Sequence, residues 1–183
     1  GLHFHLPGMR LVEDRFVDGI DDVAFVIALV WELTFSGFVT TTSGASFVEG
    51  LAGLGLPPLL IYVVTYLGGF AAFLGFYVFA ARFAADYLRT YRTTRELAVR
   101  FAPPLLAIAA GYHLAHYFGF FISLSPSLVA VLGSPLTPPS NPLVLSLPAW
   151  FGSLNILFVL LGHLVAIWVA PSIAYGLFPS RLH

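Results

Sequence analysis

The sequence has little charge and no cysteine. Only 9% of its 183 residues are Asp, Glu, Lys or Arg, and they sum to a formal net charge of -1. Without cysteine the chain can form no disulfide, no thiolate nucleophile and no cysteine-ligated metal site. A net charge this close to zero also argues against a general attraction to nucleic acid.

Apolar residues make up most of the chain. They account for 58% of it, and the mean hydropathy is +0.90. This leaves too little polar surface to coat a soluble globule of this length. A spanning helix needs about 20 mostly apolar residues to cross roughly 30 Å of hydrocarbon, so the chain accommodates about four spans. The composition therefore predicts an all-α integral membrane protein with a single membrane domain.

Four segments have the length and hydropathy of a membrane-spanning helix. They are residues 21–42, 57–87, 101–124 and 149–170. Proline pairs open the second and third segments, because a first helical turn tolerates proline, and Pro171 is expected to stop or kink the fourth. Residues 1–20 mix charged and apolar side chains, which predicts an amphipathic segment at the inner membrane surface. Residues 21–183 then form one membrane domain.

Small residues recur at helical spacing in three of these spans. Each set predicts a close helix contact, because Gly and Ala let two backbones approach each other in a membrane. The sets are Gly68/Ala72 and Ala71/Gly75 in the second span, Gly111, Ala115 and Gly119 in the third, and Gly152, Asn155, Val159, His163, Ala166 and Ala170 in the fourth. The last set also predicts that His163 faces protein and not lipid.

Two connections between the spans differ in composition. Residues 43–56 form a glycine-rich connection whose only charged residue is Glu49. Residues 125–148 are rich in proline and serine, and their apolar pieces, 128–132 and 143–147, are too short to span. This stretch is predicted to lie on the membrane or to dip into it as a re-entrant outer loop. There it would cover whatever lies beneath it.

All basic residues of the chain are arginines, and they fall on one predicted side of the membrane. They are Arg10, Arg15, Arg82, Arg89, Arg92, Arg95, Arg100 and Arg181. Most of them surround the connection between the second and third spans. The positive-inside rule makes this side cytoplasmic. The pattern predicts a multi-pass plasma-membrane protein with both ends of this chain in the cytoplasm.

Four ionisable side chains fall near the middle of the predicted spans. Glu32 lies near the centre of the first span, His113 near the centre of the third and His163 past the middle of the fourth. His116 lies about 4.5 Å from His113 along the helix axis and within about 60° of the same face. Ionisable groups are costly in lipid and are usually kept for a function. We therefore expect these four groups to share one layer.

Three interpretations of this layer remain open. Three imidazoles and one carboxylate could bind Zn²⁺ or a similar divalent ion. The candidate ligands are then His113, His116 and His163. Two imidazoles from different helices could instead ligate haem iron. Alternatively, the ionisable groups only lock the bundle by hydrogen bonds to each other or to polar neighbours. Those neighbours are Ser36, Tyr112, Tyr117 and Asn155.

Three short stretches resemble a known family. They are Ala109–Tyr117 (AAGYHLAHY), Gly162–Ala166 (GHLVA) and Tyr175–Pro179 (YGLFP). Here the chain resembles multi-spanning prokaryotic membrane proteins labelled fenitrothion hydrolase-like, after a membrane-bound organophosphate hydrolase. The resemblance implies that its three span histidines occupy recurrent histidine positions. The family has a further histidine where this chain has Pro171.

The resemblance implies a metal-dependent hydrolase of phosphoester-type substrates. A bound metal would lower the pKa of its water toward about 7 and polarise the P=O bond. Glu32 would be the catalytic residue that orients or deprotonates this water. Family members are longer than this chain, which begins at Gly1 without a signal-peptide pattern. We therefore expect the chain to be a piece of a longer protein.

The midplane depth of Glu32 and the proline-rich outer stretch favour a second class, a proton- or cation-coupled transporter or channel subunit. In that class Glu32 and the histidines would relay protons or bind a cation. A third candidate is a haem-binding membrane electron carrier. The partners expected in each case are the lipid bilayer and either further copies of the chain or further helices, with no nucleic acid.

Overall fold

The computed structural model describes residues 9–13, 16–88 and 90–178. Within these ranges all regular secondary structure is helical, which confirms the predicted all-α class. The helices are α1 (Met9–Glu13), α2 (Ile20–Val39), α3 (Thr42–Ala52), α4 (Pro58–Tyr87), α5 (Thr94–Ser123), α6 (Ser125–Gly133) and α7 (Phe151–Leu177). The predictions made for residues 1–8, Arg15, Arg89, Pro179 and Arg181 lie outside the described residues.

Four of these helices, α2, α4, α5 and α7, are long and apolar enough to cross a membrane. α5 is the central element of the bundle, since it packs against α7 and also against α2 and α4. In the described part of the chain, α2 and α7 share no contact. α5 therefore lies between two separate interfaces, and the candidate site residues are distributed over both.

The proline pair of the third span does not open its helix. α5 begins at Thr94, where the Thr93 hydroxyl caps it by accepting a hydrogen bond from the Glu96 amide at 3.1 Å. Pro103 and Pro104 are buried well inside this helix. The expectation that they start the span is wrong, because a capping threonine sets the start and neighbouring helices stabilise an interrupted membrane helix.

The ends of α2 and α7 differ in how well the sequence predicts them. The Asp22 carboxylate accepts hydrogen bonds from the amides of Asp18 and Gly19 at 2.9 and 3.2 Å, so α2 begins at its predicted acidic turn. α7 passes through Pro171 and ends at Leu177. The fourth helix is therefore not stopped by its proline.

Both predicted connections contain helices. Residues 42–52 form α3, which packs against α2 and α4, so the glycine-rich connection contains a helix. The proline-rich stretch starts with α6 and then folds back onto the end of α5. There the Leu145 amide donates to the Ser123 carbonyl at 2.7 Å, and the Ser127 hydroxyl donates to the Leu143 carbonyl at 2.8 Å.

The main hydrophobic core lies where α2, α4 and α5 meet, near the start of α2. Its buried members are Val17, Val23, Val26, Ile27 and Ala102. Tyr77 of α4 packs against this cluster, and its hydroxyl donates to the Ala98 carbonyl at 2.7 Å. Further along the same interface of α2 and α5 lie Glu32 and His113. The core thus fixes the two helices that carry the candidate site.

The small-residue patterns are confirmed in α5 and differ in α4. A Cβ added at Gly111 would lie 2.6 Å from the Phe158 carbonyl oxygen of α7, so these helices pack backbone to backbone. In α4, Gly68 and Gly75 have no neighbour within 4 Å of such a Cβ. The residue that packs is Gly69, which lies directly against the Trp31 ring. The small pairs of α4 therefore face outward in this chain.

Candidate functional site

Glu32, His113 and Tyr117 meet at the interface of α2 and α5. The Tyr117 hydroxyl donates to Glu32 Oε1 at 3.0 Å. Nε2 of His113 lies 3.7 Å from Glu32 Oε2. The rings of His113 and Tyr117 are also neighbours, with centroids 5.7 Å apart. Each oxygen of the carboxylate therefore faces a different side chain of α5.

The local structure of both helices explains this meeting. His113 and Tyr117 are four residues apart, so they lie one turn apart on the same face of α5. On α2, Trp31 is fixed to α4, because its indole N–H donates to the Tyr66 carbonyl at 2.9 Å. The next residue, Glu32, is rotated by about 100° around the helix axis. That rotation directs its side chain toward α5.

The histidine ring is held in one tautomer. Nδ1 of His113 lies 2.8 Å from the Ala109 carbonyl oxygen of its own helix. A carbonyl oxygen can only accept a hydrogen bond, so Nδ1 carries a proton. In the neutral ring the lone pair is then on Nε2, which faces the Glu32 carboxylate. The two atoms are 3.7 Å apart, which is longer than a hydrogen bond.

One oxygen of the group, Oε2 of Glu32, receives no hydrogen bond within the described part of the chain. This atom is buried and has no hydrogen-bond partner among the described residues. Leaving a buried acceptor without a donor costs about 1–3 kcal/mol, and more when the group is charged. The side chains of Glu32 and His113 remain 36% and 30% exposed. A buried oxygen with no donor among the described residues thus belongs to a side chain that is otherwise partly exposed.

His116 lies apart from this group. It is exposed on the outside of α5, and its ring contacts those of Tyr117 and Phe120, with centroids 4.8 and 5.9 Å away. A step of four residues turns a helix by about 40° beyond a full turn, whereas a step of three falls about 60° short. Tyr117 therefore aligns with His113 at the carboxylate, and His116 does not.

His163 lies at the other interface of α5. Its Nδ1 is 2.8 Å from the Val159 carbonyl oxygen, and its ring contacts Tyr112 with centroids 5.8 Å apart. It is half-buried, so it faces protein in part, at the edge of the contact between α5 and α7. Since α2 and α7 share no contact in the described residues, His163 and Glu32 lie at different interfaces of α5.

The arrangement brings two of the four predicted site residues together. Among the described residues, no three His, Asp or Glu side chains converge in a way that could hold a metal ion. Glu32 and His113 alone approach each other, which does not fit a site with three protein ligands. The backbones of α5 and α7 are in close contact at Gly111 and Gly162. Metal and haem binding stay predictions, and no step below depends on them.

Of the polar residues that the sequence predicts as neighbours of the site, some contact Glu32 and others do not. Tyr117 is a hydrogen-bond partner of Glu32. The Ser36 hydroxyl donates to the Leu33 carbonyl of its own helix at 3.1 Å. Oδ1 of Asn155 is buried and has no partner among the described residues. The signal that distinguishes Tyr117 is its spacing of four residues from His113, which places both on the face that meets α2.

Comparison with known proteins gives no relative. No protein-family model matches the chain, and no curated protein and no solved structure matches it. The resemblance to fenitrothion hydrolase-like proteins therefore stays a prediction.

Proposed function

We propose that this chain is a proton-coupled membrane subunit, part of a transporter or channel, in which Glu32 and His113 share a transferable proton. One observation carries the proposal: the buried, unpartnered Oε2 of Glu32 faces Nε2 of His113 at 3.7 Å. Both side chains belong to helices that can cross a membrane. Intramembrane ionisable groups at such positions typically form proton or ion pathways.

Each residue of the group has a separate role in this proposal. Glu32 accepts the proton on Oε2, and His113 donates or receives it through Nε2. The Tyr117 hydroxyl holds Oε1 at 3.0 Å, so the carboxylate keeps its Oε2 toward the histidine. The bond from Nδ1 of His113 to the Ala109 carbonyl keeps the ring from turning away. Because Nε2 and Oε2 are 3.7 Å apart, transfer of a proton between them uses a bridging water or a small side-chain movement that shortens this distance.

The proposal includes a location and partners. We assign the chain to the plasma membrane as a multi-pass protein whose two ends lie in the cytoplasm. The end of α4 and the start of α5 carry Arg82, Arg92, Arg95 and Arg100, which supports that orientation. A half-exposed carboxylate inside the bilayer requires cover from other protein or from a water-filled path. A second copy of the chain or further helices would supply this cover, and nucleic acid has no part.

The metal-dependent hydrolase is the competing proposal, and metal analysis separates it from proton coupling. It would require at least one ligand from outside the described residues, because only Glu32 and His113 approach each other. About one zinc per purified chain, lost in His113→Ala, would favour the hydrolase. A wild-type chain that conducts protons after chelation favours proton coupling.

Proton flux in vesicles tests the proposal. The purified chain is reconstituted with a pH-sensitive dye inside the vesicles, and a pH gradient with a membrane potential is imposed. Wild type is expected to move protons, and Glu32→Gln and His113→Gln are expected to reduce the rate at least tenfold. His116→Gln is the matched control, since it changes the same residue type one turn away on the exposed side of α5. Wild-type flux in Glu32→Gln would contradict the proposal.

A further inference from the structure

A cavity lies away from the proton group, at the arginine-bearing end of the bundle. It has a volume of about 340 Å³ and opens between α1, the start of α5 and the end of α7. Volumes of about 300–1,000 Å³ are typical of ligand sites. Its lining includes the apolar side chains of Val12, Val99 and Ile173 together with Arg95 and Arg100.

The charged side chains around this cavity, two arginines and two carboxylates, differ in whether they are paired. Arg95 and Arg100 make no hydrogen bond or ion pair with any described residue, and Arg95 is exposed. Two carboxylates, Asp18 and Glu96, also line the cavity. Glu96 is already paired with Arg92 at 2.6 Å, so its charge is balanced from outside the cavity. Two arginines thus face one unpaired carboxylate, and the start of α5 adds its positive helix end.

We propose that this cavity binds the phosphate group of an anionic phospholipid. Guanidinium groups match the oxygens of a phosphate in geometry and charge. The cavity lies at the end of the bundle that is predicted to face the cytoplasm, where anionic lipid headgroups are found. A free phosphate ion would make no favourable contact with the apolar lining residues, whereas the glycerol and the first methylenes of a lipid can pack against them. These features favour a lipid over free phosphate as the source of the group.

The site discriminates between lipids by charge. A zwitterionic lipid such as phosphatidylcholine adds a quaternary ammonium, which Arg95 and Arg100 repel. Phosphatidylglycerol carries the phosphate without a compensating cation. We therefore expect phosphatidylglycerol to bind at this site at least tenfold more tightly than phosphatidylcholine of the same chain length.

Thermal unfolding in neutral detergent tests the lipid site. The full chain is titrated with dioctanoyl phosphatidylglycerol, dioctanoyl phosphatidylcholine or inorganic phosphate, and the midpoint temperature gives an apparent Kd, because a ligand that binds the folded state stabilises it. Phosphatidylglycerol is expected to raise the midpoint, and the double variant Arg95→Gln, Arg100→Gln to weaken its binding at least tenfold. Arg82→Gln is the control, since Arg82 is an exposed arginine that does not line the cavity.

Each alternative outcome overturns a defined part of the proposal. Equal stabilisation by inorganic phosphate would replace the lipid with a free anion. Equal stabilisation by phosphatidylcholine, or an equal loss in Arg82→Gln and in the double variant, would remove the site altogether. Native mass spectrometry of the double variant provides a second readout, the number of lipids retained. Proton flux by the double variant is expected to stay at the wild-type rate, so failure of this site is distinguishable from failure of the proton group.

Discussion

The two faces of α5 differ in how closely they pack against the neighbouring helix. Toward α7, Gly111 and Gly162 bring the backbones together, and a Cβ at Gly162 would lie 2.8 Å from the Ala107 carbonyl oxygen. Toward α2, His113 and Tyr117 contact a carboxylate that remains 36% exposed. α5 thus has one face whose backbone packs directly against α7. A second face, at another angle around the helix axis, carries polar side chains that remain partly exposed.

This difference shows how a short membrane bundle can combine one closely packed helix contact with another that carries polar side chains. Glycine removes the side chains from one interface, so dispersion contacts between backbones hold α5 and α7 together. The other interface can then carry polar side chains without separating the bundle. The predictions below test this division from its largest expected effect to its smallest.

The largest effect is expected at Gly111. Gly111→Ala places a methyl group 2.6 Å from a backbone oxygen of α7, which cannot move aside as a flexible side chain could. We expect the free energy of unfolding to fall by about 2 kcal/mol, within the usual range for overpacking. Gly152→Ala is the control, since the space around Gly152 is open and alanine favours a helix by about 1 kcal/mol. Thermal or denaturant unfolding in detergent measures both, and equal stability of the two variants would refute the tight interface.

A similar but smaller effect is expected at Gly69. A methyl group there overlaps the Trp31 ring, which is 8% exposed and hydrogen-bonded to the Tyr66 carbonyl, so the ring has little room to shift. We expect Gly69→Ala to cost about 1–2 kcal/mol of unfolding free energy. Its neighbour Gly68 has nothing within 4 Å, so Gly68→Ala is expected to be neutral or slightly stabilising. The same unfolding assay decides between them, and a loss at Gly68 as large as that at Gly69 would show that α4 packs by its other face.

Much of this architecture follows from the sequence, because hydropathy fixes which helices cross the membrane and small residues mark the face of α5 that meets α7. Local helix ends follow less well. Pro103 and Pro104 predict the start of the third helix, whereas the Thr93 cap sets that start at Thr94 and both prolines are buried within α5. The helix of residues 42–52 lies in a stretch whose glycines indicate a connection, and it packs against α2 and α4.

The site was predictable only in part for a similar reason. Depth along each span places Glu32 and His113 at one level, and the structure brings them together. The depth of a residue along its span gives no information on its rotation about the helix axis. An argument from depth therefore also places His116 and His163 in the same group. Tyr117 was predictable only as one of several polar neighbours, because the direction of Glu32 depends on how Trp31 is held by α4.

A moderate effect is expected when the Tyr117 hydroxyl is removed. Tyr117→Phe deletes the donor to Glu32 Oε1, and we expect a loss of about 1 kcal/mol or less in unfolding free energy because the side chain is 44% exposed. Proton flux is expected to fall a few-fold without being abolished, since Oε2 and His113 remain. Tyr112→Phe provides the matched control at the other interface of α5, where the ring contacts His163. A larger loss of flux in Tyr112→Phe would move the site to the interface with α7.

The smallest effect on flux is expected at His163. His163→Gln removes a ring that contacts Tyr112 but lies at a different interface of α5 from the carboxylate. We expect proton flux within about twofold of wild type, since no member of the proton group loses a partner. A rate as low as that of Glu32→Gln would mean that all the predicted ionisable residues act together after all.

The most direct measurement is the ¹⁵N NMR spectrum of the histidine rings in bilayers, recorded for wild type and for Glu32→Gln. If Glu32 and His113 share a proton, the Nε2 signal of His113 in wild type lies between those of a protonated and a bare nitrogen. It then moves to the position of a bare nitrogen in Glu32→Gln, while His163 stays unchanged. An Nε2 signal of His113 that is identical in both proteins would contradict a shared proton.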